Sequence, residues 1–397
     1  MSLAPCHPAT LAIFCKVVDN YGDIGICWRM ARQFAREHGL AVTLWVDDLA
    51  SFRRICPAVQ LDAALQQVEG VTVRHWLNQQ GSVDLGDVAE IVIEFFGCDI
   101  PPAYVEAMAR CPVRPVWINY EGLSAEDWVE GCHTLPSSHP RLPLTKHFFF
   151  PGFTARTGGL LHEADLDQER ARFQADPAAM QAFLAGLGVT AAECAARKVS
   201  LFCYPSAPVA QLFSAWESGL TPVLCLVPEG VAAAAVGAFL GQEPVPGAAA
   251  TAGMLTVRVL PFVPQPDYDR LLWACDLNFV RGEDSWVRAQ WAARPFIWHI
   301  YEQDENLHHK KLCAFLQRYA GGAALDALSL LWNGAGAPGD DCASLWPPFV
   351  TELPSLARRG AAWQAALLAN GDACGNLLAF AAVVSSVNRE NSGIMPG

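Results

Sequence analysis

Apolar positions recur along this chain in two rhythms, and the rhythms alternate. LAIFCKVV (11–18) is an apolar run broken only by Lys16, of the length and density expected for a strand buried on both faces. A turn, DNYGDIG, follows, and then ICWRMARQFAREHG. Here Ile26, Met30 and Phe34 fall on one helical stripe with Cys27, Ala31 and Ala35 beside it, while Arg29, Arg32 and Arg36 fall on the other side. Gly39 is placed to end that helix. Further strands are predicted at AVTLWV (41–46), AEIVIEFFG (89–97) and PVWINY (115–120). Residues 133–165, rich in Pro, Gly and Ser, read as loop and inter-domain approach.

A second series starts near residue 198, with strands predicted at VSLFCY (199–204), PVLCLV (222–227), LTVRVLPFV (255–263), DLNFVRG (276–282) and RPFIWHIY (294–301). Helical patterns separate most of them. The Ala/Gly-rich stretch 230–253 reads as a helix plus a loose loop, and WQAALLANGDACGNLLAFAAVVSSV near the end as two apolar helices. Strand–helix–strand repetition in both halves predicts an α/β protein of two doubly wound, parallel-sheet domains. Ligands of such folds bind at the C-terminal edges of the strands, here in a cleft between the halves.

Composition sharpens this picture. At 397 residues the chain exceeds what one core organises, and 52% apolar against 17% charged residues suits large sheets covered on both faces. A formal charge of −13 excludes a general affinity for nucleic acid or an anionic membrane, although a small anionic ligand can still be held locally by helix N-termini and a few arginines. Most of the fourteen cysteines sit inside apolar runs and none forms a CxxC pair. They read as small buried hydrophobes of a reducing compartment. With no signal-like N-terminus and no uncharged span of membrane length, a cytoplasmic protein is expected.

Three segments could carry chemistry. The loop Asp19-Asn20-Tyr21-Gly22-Asp23-Ile24-Gly25 joins the first strand to the first helix. Gly22 and Gly25 permit a tight turn, and the two carboxylates could orient and deprotonate a nucleophile, or one could simply cap the helix. The loop lacks the GxGxxG of a dinucleotide site. The second segment, Arg281-Gly282-Glu283-Asp284-Ser285-Trp286, ends a strand and opens a helix. Arg281, the hydroxyl of Ser285 and the helix N-terminus form a plausible diphosphate cradle, with Asp284 and Ser285 both suited to the N-cap. Glu283 would repel a diphosphate and should face a sugar hydroxyl or a cationic acceptor. The third is aromatic: Phe202 and Tyr204 after one strand, with Phe262 and Gln265 after another. They could stack on a nucleobase and read its edge, or they could be core. His308 and His309 are adjacent on a helix and make a poor metal pair. No HExxH, GxSxG or P-loop occurs, so no metal is expected.

These same segments resemble one family. IFCKVVDNYGDIGICWRMAR, PGFTARTGGLL and NFVRGEDSWVRAQWAARPFIWHIY, supported by LFCYP and LPFVPQPDYDRLLW, are similar to EarP, the protein-arginine rhamnosyltransferases that modify bacterial elongation factor P, over about residues 11–380. The resemblance implies a GT-B glycosyltransferase architecture, two Rossmann-like domains facing across a cleft. An acceptor-side domain would span 1–185 and a nucleotide-sugar domain 186–364, with a helix at about 365–390 packing back on the first. It implies inverting, metal-independent transfer of L-rhamnose from dTDP-β-L-rhamnose to an arginine of elongation factor P, with no cofactor beyond that substrate. Asp23, Asp19 and Glu283 would be catalytic. Asn20, Tyr21, Gly22, Phe202, Tyr204, Phe262, Gln265, Arg281, Asp284 and Ser285 would hold the donor. Asp23 is expected to be the base and Glu283 to orient the acceptor, with the two roles exchangeable. Competing readings are a nucleotide-sugar-binding regulatory module and a GT-B enzyme of other specificity, such as an epimerase, since fold does not fix function.

Overall fold

A computed structural model describes residues 9–19, 21–76 and 84–393. They form two compact units. One is the chain up to Ala164 together with the segment from Leu367 onward, and the other is Asp165–Ala366.

The first unit runs β1 (Thr10–Cys15), α1 (Gly22–Arg36), β2 (Ala41–Val46), α2 (Leu49–Ile55), β3 (Leu65–Val68), β4 (Val71–His75), β5 (Ile91–Phe95), α3 (Pro102–Arg110), β6 (Val116–Tyr120), α4 (Val129–Cys132), β7 (Pro136–Ser138) and β8 (Thr145–Phe149). The sheet order is β3-β4-β2-β1-β5-β6-β8-β7. All neighbours pair in parallel except the antiparallel edge pairs β3–β4 and β7–β8. β1 lies inside this sheet, between β2 and β5, and Leu11 to Cys15 are all buried, which is why its sequence is apolar without alternation. On one face, Phe14 stacks on Trp45 at 5.2 Å and meets Tyr104 edge-on at 4.8 Å.

The strand expected over 11–18 ends at Cys15, because the backbone of Val17 and Val18 is bonded to side chains instead of a ladder. The stretch 133–165 is not all loop. It contains β7 and β8, and β8 pairs with β6 in register Trp117↔Lys146; the prolines that flank TKHFF hid it. The polar side of α1 is not left to solvent either. Arg29 is buried and pairs with Glu163 at 3.5 Å, and Gln33 Nε2 donates to His162 O and to Asp372 Oδ1, both at 2.9 Å.

The second unit contains α5 (Leu166–Gln174), α6 (Pro177–Gly186), β9 (Arg197–Leu201), α7 (Val209–Glu217), β10 (Val223–Pro228), α8 (Ala233–Leu240), β11 (Ala249–Ala252), β12 (Leu255–Leu260), α9 (Gln265–Ala274), β13 (Leu277–Arg281), α10 (Asp284–Trp291), β14 (Phe296–His299), α11 (Leu307–Tyr319), α12 (Ala323–Trp332) and α13 (Cys342–Leu368) as far as Ala366. Its sheet order is β11-β12-β10-β9-β13-β14, parallel except for the edge strand β11. That edge strand lies in the segment read as a loose loop. The last helix, α14 (Ala373–Asn391), belongs to the first unit, with Asp372 capping it.

The unit boundary falls at 164/165, not at 185/186. Phe173 of α5 meets Trp273 at 6.0 Å, and Leu184 of α6 packs in a core with Leu224, Leu260 and Leu271. These contacts fix both helices to the second sheet.

One polar pair holds α9 to α10. Arg288 Nε and Nη2 donate to Asp269 Oδ1 and Oδ2 at 2.9 and 2.8 Å, with both side chains more than nine-tenths buried. Removing one partner strands a buried charge, whereas replacing both does not. Asp269→Ala is therefore expected to lower unfolding free energy by about 3–5 kcal/mol in urea titrations, and Asp269→Leu with Arg288→Met by much less.

Candidate active site

The turn after β1 is built around one carboxylate. Gly22 N donates to Asp19 O at 2.7 Å, which reverses the chain, and Gly25 N bonds Tyr21 O at 2.9 Å as α1 begins. Asp23, in the first turn of α1, then reaches back. Its Oδ2 accepts from Val18 N at 2.7 Å and from Asp19 N at 2.8 Å. Just before it, Val17 N donates to Oδ1 of Asp47, the residue after β2, at 2.9 Å. Three successive amides are thus fixed by two aspartates. Gly22 packs closely under this turn, and a Cβ there would lie 3.1 Å from Asp19 Oδ2, close enough that the carboxylate would have to shift. Asn20 lies outside the described residues.

Asp23 is only 5% exposed. Burial raises its pKa, the two amides pull it down, and the charges of Asp19 and Asp47 push it up again; the net direction is upward. A carboxylate with enhanced proton affinity, hydrogen-bonded through one oxygen, suits a general base. Under it, Cys15, Cys27 and Cys98 are buried, and burial pushes the thiols of Cys27 and Cys98 upward, so they serve as packing.

The same sheet edge carries a carboxylate that the sequence reading passed over. Gly97 N, in the turn after β5, donates to Asn119 Oδ1 at 2.8 Å, and Asn119 Nδ2 donates in turn to Glu121, just past β6. Because β1, β5 and β6 are parallel neighbours, Glu121 and the Asp19–Asp23 turn share one edge. An acid directly after an apolar strand, as in PVWINYE, is the signal that could have found it, and Asp47 carries the same signal.

In the second unit, the turn from β13 to α10 has Gly282 in the left-handed region (φ +61°). Glu283, not Asp284 or Ser285, is the N-cap residue, and it makes no side-chain capping bond. The hydroxyl of Ser285 is instead used inside the turn, accepting from Arg281 N at 3.0 Å and donating to Arg281 O. The Arg281 guanidinium donates to Cys203 O at 3.2 Å. It lies 4.2 Å from the Phe202 ring centroid and 4.9 Å from that of Tyr204. Arg281, Phe202 and Tyr204, read separately from sequence, are therefore one cluster. Phe202 also meets Tyr268 of α9 at 5.9 Å. Gln265 opens α9, buried, and half-buried Phe262 precedes it. Both α9 and α10 start where their preceding strands end, so their positive N-terminal ends lie on the C-terminal edge of this sheet. Among the described residues, no group of three or more His, Cys, Asp or Glu side chains is placed to hold a metal ion, and no helix is long and apolar enough to cross a membrane.

A family model described as Elongation-Factor P (EF-P) rhamnosyltransferase EarP matches residues 11–382. A protein-arginine rhamnosyltransferase of Pseudomonas putida KT2440 is 49% identical over 376 residues, covering 94% of this chain and 98% of the relative. One of Pseudomonas aeruginosa PAO1 is 46% identical over 362 residues, covering 89% and 94%. A solved structure concerning EarP-mediated arginine glycosylation of translation elongation factor EF-P superposes with a TM-score of 0.63 at 36% identity, covering 94% of this chain and 98% of the other. A trehalose-phosphate synthase of Burkholderia vietnamiensis (TM-score 0.51, 8% identity, covering 96% and 98%) shares the fold alone. That fold is GT-B, with two Rossmann-like domains.

A group whose folded pKa is raised stabilises the protein below its unfolded pKa, and this stability is lost as pH rises through the folded value. Asp23 is such a group. Asn at this position keeps an oxygen for the two amides and carries no charge. Asp23→Asn is therefore expected to resist urea better than the wild type at about pH 7.5 and to lose this advantage towards about pH 4.

Proposed function

The chain belongs to the EarP family, and from that premise we propose that it is a protein-arginine rhamnosyltransferase acting on elongation factor P, using dTDP-β-L-rhamnose and inverting the anomeric centre. The observation that carries the chemistry is buried Asp23, with raised proton affinity and one oxygen tied to two backbone amides.

An arginine guanidinium stays protonated at neutral pH, and its delocalised lone pairs make it a poor nucleophile. Carboxylates around it localise its charge and turn one nitrogen towards the sugar. In the proposed step that nitrogen forms a bond to the anomeric carbon from the face opposite the diphosphate. The bond from that carbon to the diphosphate oxygen breaks, and the nitrogen's proton passes to Asp23. Because Oδ2 already accepts from Val18 and Asp19, Oδ1 is the oxygen assigned to that proton. The product guanidinium keeps its single positive charge, and dTDP leaves with the bonding electrons. Asp19 supports the turn and adds negative potential. Glu283 is assigned to orient the acceptor or polarise the site.

The leaving diphosphate needs positive potential. Arg281 and the N-terminus of α10 supply it in this reading, with Asp284 and Ser285 in the cradle and no metal or other cofactor invoked. Phe202, Tyr204, Phe262 and Gln265 hold the base and the rest of the donor, and Tyr21 and Gly22 border the sugar. The pI of about 5.2 and the cysteines inside apolar strands fit a cytoplasmic protein that meets its acceptor in solution.

The test is an intact-mass assay with unmodified elongation factor P, this protein and dTDP-β-L-rhamnose in excess chelator. Gain of one deoxyhexose, mapped to an arginine, is expected, with Glu283→Gln slower by roughly a hundredfold or more. No gain from a protein that binds dTDP would sink the acceptor assignment, and gain only after adding a divalent cation would sink the metal-free leaving-group account.

A further inference from the structure

Nothing in the sequence reading singled out His299, yet it joins both loops of the proposed donor site. It is the last residue of β14, opposite Arg281 in the register, and only 2% exposed. Its carbonyl oxygen accepts from Gly282 N at 3.0 Å, which pins the β13–α10 turn at its left-handed glycine. Its ring Nδ1 accepts from Tyr204 N at 3.2 Å, and its Nε2 lies 3.4 Å from Ser206 Oγ. The ring also meets Tyr204 edge-on at 5.4 Å, with Trp332 at 6.0 Å.

These contacts fix the ring's chemistry. An amide N–H can only donate, so Nδ1 facing Tyr204 must carry a lone pair. The single ring proton then sits on Nε2 and points at the Ser206 hydroxyl. The environment agrees: burial lowers the His299 pKa to about 4, and Arg281 and His308 push the same way against Glu302. A neutral ring with a defined tautomer is thus available throughout the neutral range.

We propose that His299 is the positioning residue of the nucleotide-sugar site, holding the Phe202–Ser206 loop by its ring and the Arg281–Ser285 turn by its backbone, so that aromatic platform and diphosphate cradle keep one spacing. The role rests on the donor reading above. It depends on the lone pair at Nδ1, because the loop segment 202–206 follows the end of β9, where Phe202 N bonds Phe279 O at 3.0 Å. Beyond that bond, Arg281 donates to Cys203 O, and the ring of His299 holds the segment at Tyr204 N and Ser206 Oγ.

Two substitutions separate this role from packing. Phe keeps a flat ring and removes the acceptor, whereas the side-chain oxygen of Asn can stand close to Nδ1. Calorimetric titration of the full chain with dTDP is expected to show binding weakened about tenfold or more in His299→Phe and largely recovered in His299→Asn. Equal binding by wild type and His299→Phe would overturn the role while leaving the donor reading intact. So would an Asn variant no better than Phe. A wild type that binds no dTDP would overturn both. A readout independent of any variant is the ¹⁵N signature of the ring, expected to show the Nε2–H tautomer at neutral pH; an Nδ1–H tautomer would overturn the role.

Discussion

The two hydrogen bonds from Val18 and Asp19 to a single oxygen of Asp23 set the terms for the first unit. They hold a carboxylate out of water, and they also hold the turn that carries it. Left unpaired, a carboxylate this buried would protonate or relax the turn around itself. Over-satisfied by donors, it would be too weak a base. Two amides on one oxygen, set against burial and two neighbouring aspartates, leave it ionisable and more basic than a free aspartate. Everything upstream serves that balance. The apolar strand β1 delivers the turn to the sheet edge, Asp47 fixes Val17, and Gly22 leaves room for Asp19.

In the proposed function the second unit has a different task, the recognition of an anion, met with the same strand–turn–helix element. A glycine in the left-handed region and a serine folded back on the strand end shape the turn, and the supporting residues are buried polar groups that make defined bonds. Asp269 and Arg288 clamp α9 to α10, and His299 ties the neighbouring loop to the turn. The half-buried cluster can therefore consist of an arginine and aromatic rings whose spacing is decided by the residues that support it.

Legibility in the sequence follows the physics of each element. β1, β5 and β6 are readable because strands buried on both faces are mostly apolar, β2 because buried Val42, Leu44 and Val46 alternate with half-buried Thr43 and Trp45, and the Asp19–Asp23 turn because it directly follows β1. β8 is obscured by flanking prolines and a lysine whose ammonium lies over Trp117. The place of α5 and α6 in the second unit instead of the first was not legible, since few of their residues are buried and it is long-range contacts such as Phe173 on Trp273 and Leu184 with Leu224 that fix them there. The aromatic and RGEDS segments stand out singly, but their union through Arg281 depends on β9 and β13 being neighbours, a pairing of residues far apart in the chain. His299 and the Asp269–Arg288 pair were invisible for the same reason, because a histidine inside PFIWHIY shows its role only once Tyr204 is placed against it.

In the proposed mechanism Asp23 takes the proton from the acceptor guanidinium. This step is tested most directly by single-turnover transfer rates across pH, with donor and acceptor saturating, for the wild type and Asp23→Asn. The wild-type rate is expected to rise with one ionisation above the ordinary carboxylate range. The Asn variant is expected to be slower by about 10²–10⁴ at every pH while still binding both substrates. Transfer by Asp23→Asn within a few-fold of the wild type, with the same pH dependence, would contradict this step.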